Sequence, residues 1–567
     1  MVRRNYYGCR YAKFTFALVF FVSFFYIFFF TQCVPFFFDD HQFHSNYVQQ
    51  TYKEQISQIF SLNKGGLSDG PRPVFGILFK TLFSFLGLDY CSYRIAKSII
   101  FGFFIICVYF IALFLFKNKN IAVILSFFIM TALPTFIQTF GYNGPHIIAE
   151  TFKILALLLF LTDFKKNKSD WKNQIFIFIF VLLAVRTYVP AFSVVGVILL
   201  FTLVYDWRKT KRYSFLFIAL VLIQLPITLD FSIFSGNYST YSPKLVNLER
   251  VLFNDLTKNI FNPIPNYSNL YYKSFTAILS FFGFWAVLLS LIVICAKFIF
   301  SKKLKTSLIK EKTCAELKLI YVFSVIWMIC ELPSYIFLPE HAIRYLLSFL
   351  IAFSVFSAGL VFQASICLSE KYKKLFVYLM LALIFLTCIV NISYVYAFRA
   401  GWGSSFMAFD KTMDFFAQNY AGKKMGVLYN SGSVAYEYFD VNKSSSNYSF
   451  NSNINYLQSS NLDDFSEKNI KNFSNKFSDF YVLKRLTSVS KVAYPPVSLE
   501  KYANLKEISI ISGFNNTLFD KFNELIITSL KLNYEPNKIY VYKLVKIKAT
   551  PLIKVPPGQK QSFNRKT

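Results

Sequence analysis

Charge is scarce in this chain. Only 16% of its 567 residues are Asp, Glu, Lys or Arg, against roughly 25% in soluble domains, which excludes an ordinary soluble enzyme. Acidic residues are the scarcer sign, 30 Asp and Glu against 60 Lys and Arg, for a net charge of +30. In a soluble protein that balance would point to nucleic acid. Here the basic residues sit in short segments between apolar runs, where they act as topology signals and contacts for anionic lipid headgroups, so no nucleic-acid partner is expected. The nine cysteines have no CxxC spacing and none follows Cys388, which excludes a disulfide framework and structural zinc and leaves them as small packing residues. No internal repeat relates two halves of the chain. Histidine is rare: His41, His44, His146 and His341 are the whole set.

Aromatic and aliphatic residues are abundant instead. Seventy-one Phe, 37 Tyr and a hydrophobic share of 55%, with mean hydropathy +0.43, fall in runs of about 18 to 25 residues, the length that spans a bilayer. The chain reads as a polytopic α-helical membrane protein. The run Phe14–Phe38 is longer than the core of a cleaved signal peptide and follows Arg3, Arg4, Arg10 and Lys13, so it reads as a signal anchor with its N-terminus inside. Further runs at 92–116, 121–140, 146–163, 174–188, 189–205, 213–232, 274–297, 319–338, 344–368 and 375–397 bring the expectation to about eleven spans. Alternating sides then puts Lys117/Lys119, Lys165 to Lys172, Arg208 to Arg212, Lys297 to Lys318 and Lys371 to Lys374 in the cytoplasm, as the positive-inside rule requires. Arg186 and Pro190 interrupt the stretch 174–205. A short buried hairpin fits there better than one helix, because a single crossing would invert every later loop.

The organisation expected is a transmembrane bundle over 1–397 with long outer loops at 39–91 and 233–273, an extracytoplasmic soluble α/β domain over 398–550, and a basic disordered tail over 551–567. In the first loop Val48, Tyr52, Ile56 and Ile59 recur at helical spacing, and in the second Leu245, Leu248, Leu252 and Leu256 do so. Both patterns fit helices lying flat in the membrane interface or helices packed on protein. In the outer domain a helix near Phe409–Gln418 and strands at 426–429, 479–483, 507–511 and 539–545 are expected, with Asn442–Ser460 as a flexible loop.

All four histidines fall at outer ends of spans, which points to one polar site on that face. Asp39 and Asp40 directly follow the first span, beside His41 and His44. Two adjacent carboxylates in a partly dry site repel, which suits a general base or a metal ligand; the alternative is a solvated helix end. His146 and Glu150 stand one turn apart on one helix face after the turn-forming Gly141, Gly144 and Pro145. A carboxylate inside an apolar run needs a cation, a His or a metal beside it. Hydrogen bonding between spans is the favoured role for this pair, and a divalent ion the other. Arg344 opens a late span one turn from Glu340 and His341, against the topology bias. Its planar guanidinium suits a phosphate, the alternative being an interface anchor. Arg72 and Lys80 are further phosphate candidates.

In chain order these residues resemble the GT-C superfamily of membrane glycosyltransferases, in the branch of protein O-mannosyltransferases and lipid A aminoarabinose transferases. The pattern runs through Asp39-Asp40, the Pro-containing turn into the apolar stretch 70–88, Glu150 opening the fourth span, and the short fifth and sixth pair with Arg186. It ends with Arg344 to Leu347 and an outer C-terminal domain. The resemblance implies Asp39 as catalytic base, a polyprenyl- or dolichyl-phosphate sugar as donor, and a glycan, lipid or protein acceptor on the outer or lumenal side. An Asp-Asp followed by two histidines departs from the family's frequent Asp-Glu and leaves any divalent metal cofactor open. The expected location is the plasma membrane, or the endoplasmic reticulum if the source is eukaryotic, since Asn237 and Asn266 lie in Asn-x-Ser sequences. A transporter, or another lipid-linked glycan-processing transferase, is the alternative.

Overall fold

A computed structural model describes residues 2–30, 51–60, 73–86, 90–140, 145–166, 170–211, 284–300, 311–337 and 347–398, short helical pieces near 213–218, 411–419 and at 521, and the strands 425–429, 454–458, 479–486, 493–494, 503–512 and 538–547. The chain divides into two compact units, 1–406 with 516–534, and 407–515 with 535–567. The expected amphipathic segment near 245–256, nearly all of the expected span 213–232 and the tail 551–567 lie outside the described residues.

The described part of the first unit is helical: α1 (Val2–Phe30), α2 (Tyr52–Phe60), α3 (Pro73–Leu86), α4 (Tyr90–Phe116), α5 (Lys119–Thr131), α6 (Leu133–Phe140), α7 (Pro145–Phe164), α8 (Trp171–Thr187), α9 (Ser193–Asp206), α10 (Phe284–Phe300), α11 (Glu311–Phe337), α12 (Leu347–Cys367) and α13 (Glu370–Phe398). Among the described residues three helical stretches are long and apolar enough to cross a membrane, Arg94–Phe116, Leu347–Cys367 and Glu370–Ile389.

Close approach between these helices depends on missing side chains, as in membrane bundles where apolar surface alone gives no drive to associate. A Cβ on Gly102 would stand 2.7 Å from the Phe20 ring, so α4 lies against α1 there. One on Gly359 would stand 3.1 Å from Ile320 and Tyr321, across α12 and α11. One on Gly196 would stand 3.3 Å from Cys330 Sγ, across α9 and α11.

The apolar run 121–140 is not one helix. α5 ends at Thr131, Ala132 is extended (φ −62°, ψ 134°), and α6 starts at Leu133. Pro134 gives the reason, because it lacks an N–H and its ring would clash with the carbonyl four residues back. The stretch 174–205 does break, with a 3-10 turn at Val189–Phe192 between α8 and α9. However, α8 packs mainly on α7 and α9 mainly on α11, so the two diverge and do not pair as a hairpin.

Four helix ends meet at one end of the bundle. Lys117 takes a left-handed backbone (φ 51°), and Asn118 caps α5 by accepting from the Asn120 and Ile121 amides, which turns the chain back in two residues. Lys117 also pairs with Glu316 near the start of α11. Lys165, just past α7, lies over Phe114 of α4; burial, then the charge of Lys117, lowers its pKa, opposed by Glu316. Lys209 donates to the Phe164 carbonyl at 2.7 Å, and Lys318 lies over Tyr205. Four of the lysines read from the sequence as belonging to one membrane side therefore stand together.

α2 begins with a capping box. The Thr51 amide and hydroxyl donate to Glu54 Oε2 at 2.6 and 2.9 Å, and the Glu54 amide donates to Thr51 Oγ1 at 3.2 Å, which satisfies donors the first turn would otherwise leave free. The helix packs on α3, with Gln55 and Ile59 buried and Tyr52 and Ile56 exposed. The expected stripe of Tyr52, Ile56 and Ile59 is thus split: Ile59 meets protein, Tyr52 lies partly exposed beside Lys80 and Thr81 of α3, and Ile56 faces outward.

The second unit contains a six-stranded sheet of β1 (Met425–Tyr429), β2 (Ile454–Gln458), β3 (Asp479–Leu486), β4 (Ala493–Tyr494), β5 (Ala503–Ser512) and β6 (Lys538–Ile547), in the order β2-β1-β3-β6-β5 with β4 on β3. β1 runs parallel to β2 and β3, whereas β6 is antiparallel to β3 and β5. Four of these strands overlie the four segments read from the sequence. β2 falls inside 442–460, where a flexible loop was expected; Ile454, Tyr456 and Leu457 supply the pairing residues that the surrounding Ser and Asn obscure.

Candidate functional site

α7 carries three ionisable residues at positions that a 3.6-residue period places on one face: His146, Glu150 and Lys153. Lys153 is 1% exposed and donates to Glu150 Oε1 at 3.1 Å and to Glu331 Oε1 of α11 at 2.6 Å. The Ser193 hydroxyl, at the first residue of α9, donates to the same Glu331 oxygen at 2.9 Å. Three helices thus meet at one buried polar cluster. Two carboxylates share one cation, and Glu150 Oε2 is buried with no hydrogen-bond partner among the described residues. Ser348 of α12 accepts from Trp327 Nε1 at 3.1 Å and interacts with the Glu150 carboxylate, without closing a hydrogen bond of normal geometry on Oε2. Ion pairs in apolar surroundings carry a desolvation cost of several kcal/mol per ion, which makes this cluster the candidate site of the bundle.

Alanines draw α8 against the same part of α7. Ala149, Ala184 and Ala191 form a buried cluster, with Phe152 and Tyr188 packed on it. Tyr188 ends α8 in an extended conformation, and its ring meets the His146 ring edge-on at 4.1 Å. Arg186, two residues before that break, has Nε and Nη2 buried with no hydrogen-bond partner among the described residues. On α4, Lys97 is also buried, and Arg94 donates through Nε and Nη2 to the Phe28 carbonyl near the end of α1.

His146 and Glu150 do share the start of α7, and Glu150 does have a cation beside it. That cation is the ammonium of Lys153, from the same helix, and His146 meets Tyr188. Among the described residues no group of three or more His, Cys, Asp or Glu is placed to hold a metal ion. Asp39, Asp40, His41, His44, Arg72, His341 and Arg344 lie outside the described residues. Lys153, Glu331, Ser193 and Ser348 are the site residues that sequence reasoning missed. The signal for the first two was present, since each is a charge inside an apolar run, and Glu150/Lys153 has the i,i+3 spacing of a helical ion pair. Nothing in the sequence pairs Lys153 with Glu331, 178 positions apart.

The arrangement offers a buried carboxylate oxygen able to accept a proton or a hydroxyl, and a guanidinium edge able to take an anion. The sequence matches no protein-family model and no curated protein.

Proposed function

We propose that the chain is a membrane glycosyltransferase of GT-C type, which moves a sugar from a polyprenyl- or dolichyl-phosphate donor to an acceptor on the extracytoplasmic side. The observation that carries this reading is the polarity of the bundle. Lys117, Lys165, Lys209 and Lys318 gather where α4, α7 and α9 finish and α11 starts. His146, Glu150, Arg186 and Ser193 lie toward the opposite ends of α7, α8 and α9. By the positive-inside rule the lysine end is cytoplasmic, and the polar site faces the side where lipid-linked sugars would be used. In this reading the chain has about eleven spans, a cytoplasmic N-terminus and an outer C-terminal α/β domain, and resides in the plasma membrane, or the endoplasmic reticulum of a eukaryote.

The chemistry follows from residue types. Asp39, or Asp40 beside it, takes the proton of the acceptor hydroxyl. The new glycosidic bond forms at the anomeric carbon as its bond to the phosphate oxygen breaks. Arg344, with Arg72, balances the charge left on the departing phosphate. Membrane lipid surrounds the donor's tail. A second reading, ion-coupled transport, is favoured by the depth of Lys153, eight residues and about 12 Å along α7 from Pro145 at 1.5 Å per residue.

The test is incubation of purified protein with a panel of polyprenyl-phosphate sugars, measuring release of polyprenyl phosphate. Release that requires an acceptor supports transfer. No release from any sugar donor, alongside pH-driven solute uptake in liposomes, would replace this reading with the transporter.

A further inference from the structure

Arg186 sits in the last turn of α8, and its Nε and Nη2 are both buried without a hydrogen-bond partner among the described residues. Those two nitrogens share one edge of the guanidinium, the edge that presents two parallel N–H groups to an oxyanion. Arginine keeps its charge in a protein interior, and although the residue as a whole is only half-buried, withholding these two donors from both water and protein is unfavourable. Among the described residues no carboxylate pairs with it, and Glu150 and Glu331 each give an oxygen to Lys153 instead. The surrounding packing also fixes the arginine in place. Ala184 and Ala191 close α8 onto Ala149, and Thr187 next to it is buried with its hydroxyl on the Leu183 carbonyl at 2.7 Å.

We infer that Arg186 is the anchor of an oxyanion site at the α7–α8 end of the bundle, and that its ligand is a phosphate group taken two-pronged on the Nε–Nη2 edge. The identification of that phosphate as the lipid-linked one rests on the proposed glycosyl transfer; the oxyanion site itself does not. Arg186 thus adds a phosphate ligand from α8 to the arginines read from the sequence.

The experiment uses the full chain in detergent, as wild type, Arg186→Lys and Arg186→Gln. Its thermal unfolding is followed alone and with polyprenyl monophosphate, the matching polyprenol, or inorganic phosphate. The wild type is expected to unfold at a higher temperature with polyprenyl monophosphate and not with polyprenol. The rise is lost in Arg186→Gln, and Arg186→Lys needs on the order of tenfold more ligand, because it keeps the charge and loses the fork. Ligand-free Arg186→Gln unfolds no lower than wild type, since the change removes a charge that nothing offsets. A full rise in Arg186→Gln, or a Gln variant that melts lower yet binds as well as wild type, would overturn the site and leave Arg186 a packing residue. A rise with inorganic phosphate alone that depends on Arg186 supports the site and overturns its lipid-linked source. Arg186-dependent binding of polyprenyl phosphate, in protein that releases none from any sugar donor, would sink the transferase reading and uphold the site.

Discussion

Lys153 of α7 reaches Glu331 of α11 at 2.6 Å while holding Glu150 of its own helix at 3.1 Å. The second contact is local and forms with the helix. The first is made between helices far apart in sequence, and it fixes how α11 is rotated about its axis. Ser193, which donates to the same Glu331 oxygen, ties the start of α9 to that choice. An apolar interface tolerates rotation, whereas a buried ion pair does not, so this cluster sets the register of three helices.

Replacing Lys153 by Met is therefore expected to be strongly destabilising, by about 3–5 kcal/mol, because it leaves two carboxylates buried without a cation. Glu331→Gln should cost less, since Lys153 keeps Glu150 and the amide still accepts from Ser193. Thermal unfolding of the two variants in detergent checks the order. A Lys153→Met protein as stable as wild type would mean that the triad contributes nothing to the bundle.

Part of this was legible beforehand. Residues 92–116, 146–163 and 344–368 announce themselves as helices because a predominantly apolar stretch longer than about 15 residues has few other solutions, and α4, α7 and α12 occupy them. Glu150 stood out as a charge in such a run. The partner of Lys153 was not legible, because which face of α11 meets α7 depends on the packing of all the helices together. The split of 121–140 could have been read from Pro134 but was hidden by the apolar residues on both sides of it. β2 was missed because five pairing residues lie within a Ser- and Asn-rich stretch whose composition reads as loop.

Gly196 lets α9 approach α11 closely enough for Ser193, three residues earlier, to reach Glu331. A Cβ there would stand 3.3 Å from Cys330 Sγ, which a small shift could absorb, but a Leu side chain has no room. Gly196→Leu is expected to cost about 1–3 kcal/mol by overpacking and to loosen the Ser193–Glu331 contact. Thermal unfolding measures the first effect. If Ser193→Ala further destabilises the Gly196→Leu protein as much as it does wild type, the two positions are not coupled.

Acid should fray α2 specifically. The Glu54 carboxylate is held below its ordinary value of 4.5 by the Thr51 amide first and the Thr51 hydroxyl second. A group with a depressed folded pKa contributes stability that is present above its unfolded value and is lost as pH falls through the folded one. Amide exchange at Thr51, Glu54 and Gln55, whose N–H groups are bonded in the first turn, should therefore be protected and flat from pH 7 to about 5, and lose protection below about 4, beyond the intrinsic change in exchange rate. Glu54→Gln should remove that acid-dependent loss, and its persistence in the variant would assign it to another group.

Under the proposed transfer, Asp39→Asn keeps the size of the side chain and loses its basicity. The expected loss in rate is roughly 100-fold to 10,000-fold, with donor binding retained. Asp39→Asn and Asp40→Asn measured separately and together give the assignment, and near-normal turnover in all three would remove this pair from the chemistry.

Glu150→Gln separates the structural part of the triad from any functional part. The amide can still accept from Lys153, and Glu331 still neutralises the ammonium, so the variant leaves one cation facing one carboxylate. Stability should accordingly change by less than about 1 kcal/mol, because the ammonium keeps a carboxylate partner. If Glu150 Oε2, which has no hydrogen-bond partner among the described residues, receives a hydroxyl or a proton during turnover, transfer should fall by at least about tenfold in protein that remains folded. Thermal unfolding and sugar release measured on the same preparation give the two quantities. Unchanged release with unchanged stability would confine Glu150 to pairing with Lys153, whereas a large loss of stability would show that its charge is needed to hold α7 against α11.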